Sequence, residues 1–203
     1  MPKLKGNWDT LGGVLVQIEK MLTRGASHFN DSFHWPVLGT TGENGCSQRS
    51  VILRGYQQKE RLLVCHTDSR ATKAQEIELD SRVSWLFYHP KKKIQLRITG
   101  KAALHTDDQF ADAQWTAASK MNRLNYSTSE APGTVISKPS TGLPELVLNK
   151  LPTLLESESA RGNFMSISCR FDSIDWLLLS PLGNRRAFFQ WTGEEMSASW
   201  IIP

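Results

Sequence analysis

The fold of this chain is decided by residues 49–100, which read RSVILRGYQQKERLLVCHTDSRATKAQEIELDSRVSWLFYHPKKKIQLRITG. Alternating polar and apolar residues between turn signals predict four strands and one short helix. The strands are expected over Arg49–Gly55, Arg61–Thr67, Arg82–Tyr88 and Ile94–Leu104, and the helix over Ala71–Leu79. Residues 49–101 carry 12 Lys and Arg against 5 Asp and Glu, whereas the rest of the chain carries 12 against 15. Such a local excess of positive charge indicates an anionic ligand.

The segments on either side of this stretch predict two longer helices and four closing strands. Apolar residues at helical spacing predict an amphipathic helix that ends near Gly25 and covers one opening of a barrel. A second helix is expected over Asp107–Met121, and residues 122–140 are expected to form a long irregular loop. The closing strands are expected over Phe164–Arg170, Ser173–Ser180, Arg186–Trp191 and Glu195–Ile202. Many antiparallel strands with few helices predict a mainly β fold, a β-barrel with flanking helices.

The composition limits the class of protein. We expect one domain over residues 1–203, with an N-terminal helix in 1–25, a core stretch at 49–104 and closing strands in 163–203. Cys46, Cys65 and Cys169 show no metal-ligand spacing, which predicts free thiols in a reducing compartment and no metal site. No apolar run is long enough to span a membrane, and the N-terminus lacks an apolar signal core. We therefore expect a cytoplasmic protein without a membrane partner.

Cations in the central stretch lie at strand ends and turns. Arg49 begins a strand, and Arg70 and Lys73 flank the turn into the short helix. A guanidinium, an ammonium, hydroxyls such as that of Thr67 and helix N-terminal amides form the donor set that binds phosphate. A solvated basic face is the alternative interpretation, but cations on such a face run along one side of an element. The amide of Gln95 can donate to and accept from the edge of a heterocycle, unless it is an ordinary exposed strand residue.

Four motifs in order then resemble the pyridoxamine 5'-phosphate oxidase family: RSVILRG, HTD with a lysine in HTDSRATKAQEI, RVSWLFY and IQLRITGKA. The resemblance is continuous over residues 49–104. It returns more weakly at ISKPSTGLP and in the C-terminal IDWLLL, RRAFFQW and SWIIP, where it is closer to the family's less characterised, oxidase-related branch. Family members are FMN-binding split barrels of Greek-key type, usually homodimers with the flavin at the subunit interface. The resemblance thus implies FMN as cofactor and a homodimer.

Residue by residue, the resemblance implies a set of cofactor-binding positions. Arg49 and Lys73 match phosphate ligands, and Gln95 matches the glutamine that contacts the flavin ring. The full implied set is Arg49, Ser50, Val51, Ile52, His66, Thr67, Arg70, Lys73, Gln95, Ser140 and Arg186. Arg54 and Arg123 are the residues that we expect to hold a phosphate on the substrate. No catalytic acid or base is assigned, because hydride transfer to a flavin does not strictly require one.

Departures from the family pattern affect the expected substrate site more than the expected cofactor site. His66 replaces the usual aromatic residue, and Thr72 stands where an arginine precedes the phosphate-binding lysine, with Arg70 as the substitute charge. The C-terminal Arg-x-His-x-Arg pattern is replaced by GNRRA, which lacks the histidine. The sequence therefore predicts an FMN-dependent oxidase or oxidoreductase acting on a small molecule. The alternative is a non-catalytic carrier or sensor of FMN or haem. Nucleic-acid binding is not expected, because no such motif is present.

Overall fold

The computed structural model describes residues 6–43, 45–148 and 152–203 of the chain. These residues form a nine-stranded antiparallel sheet with flanking helices, which confirms the predicted mainly β fold. The strands are β1 (Val37–Gly42), β2 (Gly45–Ser50), β3 (Gly55–Gln57), β4 (Leu62–Asp68), β5 (Arg82–His89), β6 (Ile94–His105), β7 (Phe164–Leu178), β8 (Arg185–Thr192) and β9 (Glu195–Ile201). The helices are α1 (Leu11–Ser27), α2 (Thr72–Leu79), α3 (Gln109–Ala117), α4 (Lys120–Arg123) and α5 (Leu154–Glu158).

Strand β7 is the longest element of the sheet and pairs with three neighbours. It runs beside β6 along one edge, while its other edge pairs first with β4 and then with β8. The prediction of two separate strands over Phe164–Arg170 and Ser173–Ser180 is therefore wrong. A bulge opposite Thr99 and Gly100 leaves Asp172 without a partner in the β6 ladder. This unpaired polar residue interrupts the alternation that sequence reasoning uses to recognise one continuous strand.

Residues 51–54 connect the two ends of the sheet. The segment is extended but belongs to no regular strand, so the predicted strand Arg49–Gly55 is in fact the end of β2 followed by a bridging segment. Its backbone N–H groups donate to carbonyl oxygens on both sides. Val51 donates to Pro36 (2.9 Å) and Leu53 to His34 (3.0 Å) on the β1 side, and Arg54 donates to Val64 of β4 (2.7 Å). This bridge places the predicted ligand residues between β1 and β4.

Helix α1 packs its apolar face onto the core, as the helical spacing predicts. It begins after Thr10, whose hydroxyl accepts a hydrogen bond from the Gly13 N–H at 3.1 Å. Val14 and Ile18 are fully buried in a main apolar cluster that also contains Trp85 and Trp176. The hydrophobic effect of burying these side chains holds the helix against the sheet.

The second predicted helix is interrupted, and the cause is local capping. The Asp108 carboxylate accepts from the Ala111 N–H at 2.8 Å and starts α3, while Ser119 caps α4. Trp115 of α3 packs with Tyr126 and Phe164 in a second, smaller cluster. No helix in the described residues is long and apolar enough to cross a membrane. All three cysteines are free thiols, as predicted.

We expect Gly100→Ala to destabilise the fold by about 3 kcal/mol, because an added methyl group would overlap backbone that cannot move independently. A Cβ at this position would lie 2.3 Å from the Arg170 carbonyl oxygen and 2.5 Å from the Phe171 Cα. Urea denaturation of both proteins measures the difference. Gly39→Ala is the matched control, because the nearest atom to its Cβ is 3.5 Å away. Equal stability of the two variants would contradict the close backbone packing at Gly100.

Candidate functional site

A pocket of about 320 Å³ lies between residues 49–54, strand β4, the N-terminus of α2 and the turn that follows α4. This volume falls within the range of small-molecule sites. Eight of the predicted ligand residues line it: Arg49, Ser50, Val51, Ile52, Arg54, His66, Thr67 and Lys73. The bridging segment and the β4–α2 turn are thus brought to one place by the fold.

The charge of Arg49 is already paired. Its Nη2 donates to the Glu76 Oε2 at 2.8 Å, and its Nη1 makes a short contact with the Thr40 hydroxyl. Thr40 in turn donates to Glu76 at 2.5 Å. Burial opposes ionisation of Glu76, but the hydrogen bonds from Thr40 and Arg49 hold the pKa of its carboxyl below its ordinary value. Arg49 therefore fixes α2 to the sheet as well as lining the pocket.

Lys73 and Arg54 are the cations of the pocket that form no ion pair with any described residue. The Lys73 ammonium donates to the Thr67 hydroxyl at 2.9 Å. Burial, and then the nearby charge of Arg49, lower the pKa of Lys73. Helix α2 has Ala71 at its N-cap, which offers no side-chain cap to the first-turn amides. An ammonium, a hydroxyl and uncapped helix amides therefore converge where an anion would gain most.

His66 is a neutral imidazole in the wall of the pocket. Its Nε2 lies 3.1 Å from the Gln114 Oε1, and its ring packs edge-on against Phe164 at 4.9 Å between centroids. Burial is the main cause that lowers the pKa of His66 to about 4; the Gln114 hydrogen bond opposes the shift, and the nearby charge of Arg54 adds to it. Helix α3 thus reaches the pocket through Gln114, a residue that the sequence analysis did not consider.

Two predicted cofactor residues lie near the pocket but bind the chain itself. Arg70 forms a two-bond ion pair with Asp68, at 2.9 and 2.7 Å, and its guanidinium also donates to the carbonyl oxygens of Thr128 and Ser129. It therefore holds the irregular segment against β4. Ser140 is exposed, and its hydroxyl accepts from the N–H of residue 142 at 3.0 Å. Neither residue is among those that line the pocket.

The structure also places Arg123 outside the pocket, with its guanidinium turned inward. Its Nε donates to the carbonyl oxygens of Trp115 and Ala118, both at 3.1 Å, and its Nη1 pairs with Glu158. The guanidinium carbon lies 4.8 Å from the centre of the Trp115 ring. Only 7% of the side chain is exposed, so Arg123 acts as a packing residue between α3, α4 and α5.

Gln95 and Arg186 belong to a different region of the sheet. Gln95, Leu177 and Arg186 are in register across β6, β7 and β8, and paired residues of neighbouring strands point to the same face. Arg186 forms a two-bond ion pair with Asp175, at 2.9 and 2.6 Å, so its charge is largely satisfied within the chain. These two residues do not line the pocket of the same protomer.

Several pocket residues were missed by the sequence analysis as ligand candidates: Asp68, Ala71, Asn125, Tyr126 and Pro132. Burial raises the pKa of the Tyr126 phenol to about 12, which keeps it a neutral donor. One sequence signal could have identified Asn125, Tyr126 and Pro132 as candidates: they lie in a long irregular region that follows a capped helix. Within the described residues, no group of three His, Cys, Asp or Glu side chains is placed to hold a metal ion.

We expect the free energy of unfolding to fall by roughly 3 kcal/mol between pH 6.5 and pH 4 on account of His66 alone, since its pKa drops from 6.5 to about 4 on folding. Between pH 6.5 and about pH 4, His66 binds a proton in the unfolded chain but not in the folded chain. The free energy of unfolding therefore decreases as the pH falls. Below about pH 4 both states are protonated, and this contribution levels off. Urea denaturation across this range for the wild type and His66→Phe measures it. Identical slopes would contradict the assignment.

The chain resembles proteins of known family. Residues 17–106 match the family model described as pyridoxamine 5'-phosphate oxidase, FMN-binding domain. A pyridoxine/pyridoxamine 5'-phosphate oxidase of Rubrobacter xylanophilus is 34% identical over 89 residues, which are 43% of this chain and 40% of that protein. The match thus spans about two fifths of the relative's length. The family-model match over residues 17–106 contains the pocket residues of β2, β4 and α2, whereas Arg123, Ser140 and Arg186 lie outside it.

Two solved structures share the fold. A pyridoxamine 5'-phosphate oxidase-related, FMN binding protein of Nostoc punctiforme superposes with a TM-score of 0.70 at 23% identity, covering 93% of this chain and 96% of that one. PhzG of Burkholderia lata, in complex with tetrahydrophenazine-1-carboxylic acid, gives 0.66 at 14% identity, covering 94% and 92%. Residues 17–106 thus resemble the pyridoxamine 5'-phosphate oxidase, FMN-binding domain family, and the chain shares the fold of these two structures.

Proposed function

We propose that this protein is an FMN-dependent oxidoreductase and that its pocket holds the FMN phosphate between Lys73, Thr67 and the N-terminus of α2. The observation that carries the proposal is the unpaired Lys73 ammonium beside a hydroxyl and an uncapped helix end. The family match supports it, because the matched model is described as FMN-binding and includes all of these residues.

The donor set of the pocket fits a phosphate group. A phosphate monoester is a dianion with several acceptor oxygens, so it needs both positive charge and N–H or O–H donors. Lys73 supplies the charge, and Thr67 and the first-turn amides of α2 supply donors. Arg49 adds donor groups with little net charge, because Glu76 neutralises it.

The remaining pocket residues have roles around the ring and the substrate. Bound FMN supplies hydride-transfer chemistry, and the protein supplies grip, orientation and exclusion of water. Val51 and Ile52 give an apolar wall, and His66 is uncharged at neutral pH. We assign the unpaired Arg54 to an anionic group of a small-molecule substrate. Its charge lies close enough to shift the pKa of both His66 and Tyr126.

A homodimer would account for the position of Gln95. The register places His66, Ser166 and His105 in one row across β4, β7 and β6. Gln95 and His105 are ten positions apart along β6, which is a strand length of roughly 33 Å. One flavin cannot reach both Gln95 and the His66 pocket of the same chain across this distance. We propose that Gln95 contacts a flavin in the pocket of a second copy, with Leu86 and Tyr88, both partly exposed on the same face, in the interface.

We expect purified protein to bind FMN, and Lys73→Met to weaken that binding about 10- to 100-fold, because a charge-assisted hydrogen bond contributes about 1.5–3 kcal/mol. Quenching of FMN fluorescence during titration measures the affinity. Lys91→Met removes an exposed turn lysine and is the matched control, expected to leave affinity unchanged. Equal weakening by both substitutions would indicate general electrostatics instead of a phosphate site.

The same preparation distinguishes the alternatives. A flavin absorption spectrum supports the proposal, whereas a Soret band would support the haem carrier or sensor. Hydrogen peroxide production with pyridoxamine or pyridoxine phosphate tests the vitamin B6 substrate. If no peroxide forms above the enzyme-free control while FMN binds, that substrate is excluded and the flavin site remains. A protein that binds neither flavin nor haem overturns both functions.

We expect Lys73→Met and Gln95→Ala to complement each other in a mixed dimer. If each site takes Lys73 from one protomer and Gln95 from the other, a heterodimer of the two variants has one intact site and one doubly altered site. Purification of co-expressed, differently tagged chains should then recover one FMN of wild-type affinity per dimer. If both residues served a flavin from the same chain, each site would carry one defect, and no site of wild-type affinity would appear. A monomer in size-exclusion chromatography would also contradict the dimer.

A further inference from the structure

A second pocket, of about 370 Å³, lies between α1, the β3–β4 turn and the β8–β9 turn. It shares no lining residue with the candidate FMN pocket. Apolar and aromatic side chains form much of its wall, among them Leu15, Ile174 and Trp191. Charged side chains of both signs, Glu19 and Arg61, face the same small volume. Concave sites with apolar walls and a few convergent polar groups are typical ligand sites.

Arg61 and the exposed Lys59 are the cations that line this pocket, and Arg61 is buried to an unusual degree. Only 9% of the residue is exposed, and its Nε has no hydrogen-bond partner among the described residues. Its Nη2 donates to the carbonyl oxygen of residue 193 at 2.8 Å, and its guanidinium carbon lies 5.6 Å from the centre of the Trp191 ring. The nearest carboxylate, of Glu194, is 3.8 Å away, 80% exposed and closer to Arg170 at 2.7 Å. The guanidinium is thus held in place with part of its donor capacity and charge unsatisfied.

The backbone at Arg61 sets the direction of its side chain. Its φ is +52°, a left-handed conformation that residues with a Cβ rarely adopt, and Lys93 in the β5–β6 turn has a similar φ of +54°. At Arg61 this turn conformation accompanies a guanidinium that lies over the Trp191 ring.

Glu19 provides the opposite charge from the α1 side. Burial raises the pKa of its carboxyl, and a hydrogen bond from Gln58 opposes the shift. Tyr56 lies close enough for the Glu19 charge to raise the pKa of its phenol, after the larger effect of burial. Glu19 forms no ion pair with any cation of the described residues. The Glu19 carboxylate and the Arg61 guanidinium of this pocket therefore both lack a full counter-charge.

We infer that this second pocket binds a zwitterion, an α-amino acid with an apolar or aromatic side chain. The carboxylate of such a ligand would pair with Arg61, its ammonium with Glu19, and its side chain would pack against Trp191 and Leu15. One molecule without net charge then completes both half-satisfied charges, the buried Arg61 and the partly buried Glu19. A simple anion would leave Glu19 unpaired, and a simple amine would leave Arg61 unpaired. This inference does not depend on FMN binding.

Isothermal titration calorimetry with phenylalanine, 3-phenylpropionate and phenethylamine tests the inference. We expect saturable binding of phenylalanine at millimolar concentration or below, and about tenfold weaker binding of the two analogues, each of which lacks one charged group. Leucine and tryptophan should also bind, whereas glutamate should not. Absence of saturable binding by every apolar amino acid overturns the inference. So does equal binding of phenylalanine and 3-phenylpropionate, because Glu19 would then have no role.

Glu19→Gln is the variant that separates the two charges. It preserves shape and should weaken phenylalanine binding about tenfold while leaving 3-phenylpropionate unchanged. Glu78→Gln makes the same change on the exposed side of α2 and is the matched control. Arg61→Met should abolish binding of phenylalanine and 3-phenylpropionate. If that variant does not fold, the comparison of ligand analogues still decides. FMN titration of the same samples should give unchanged affinity, so failure here and failure of the flavin site are distinguishable.

Discussion

The pairing of β6 with β7 is the constraint on which the rest of the structure depends. β7 follows β6 along its whole length and divides its other edge between β4 and β8. One register therefore fixes the β4 side, which carries His66, and the β8 side, which carries Arg186. A slip by one residue would turn every side chain of β6 to the opposite face. The bulge at Thr99 and Gly100 fixes the register at one point, because an alternative pairing would leave the unpaired residue in another place.

Charge pairing, more than the number of cations, decides which parts of the basic stretch can bind a ligand. Arg49 and Arg70 are paired with Glu76 and Asp68, so they stabilise the frame of the pocket. Lys73 lacks such a partner and lies beside the uncapped end of α2. Lys73 is partly buried, and a cation withdrawn from water without an acid is unfavourable unless an anion pairs with it. The anion that the whole stretch indicates is thus expected at one corner of the pocket.

Local patterns predicted what local interactions determine. The limits of α1, α2, β5 and β6 follow from spacing and capping, and the grouping of residues 49–52 with His66 and Lys73 follows from motif order. The position of the Arg123 side chain could not be predicted from the sequence. It depends on an ion pair with Glu158, a residue far along the chain, and on packing against the ring of Trp115. Likewise Glu76 was not visible as the partner of Arg49, because the contact exists only once α2 packs on β1.

The two ends of β6 differ in what they can do alone. At the His105 end, α3 covers the sheet: Phe110 packs on His105, and Gln114 holds His66. At the Gln95 end, the same face carries an ion-pair network around Asp175 and partly exposed apolar side chains. A sheet face that is ordered by paired charges and left apolar at its edge gains most from association with another surface. In the proposed dimer, a second copy supplies such a surface, and its Gln95 contacts the flavin pocket of the first copy.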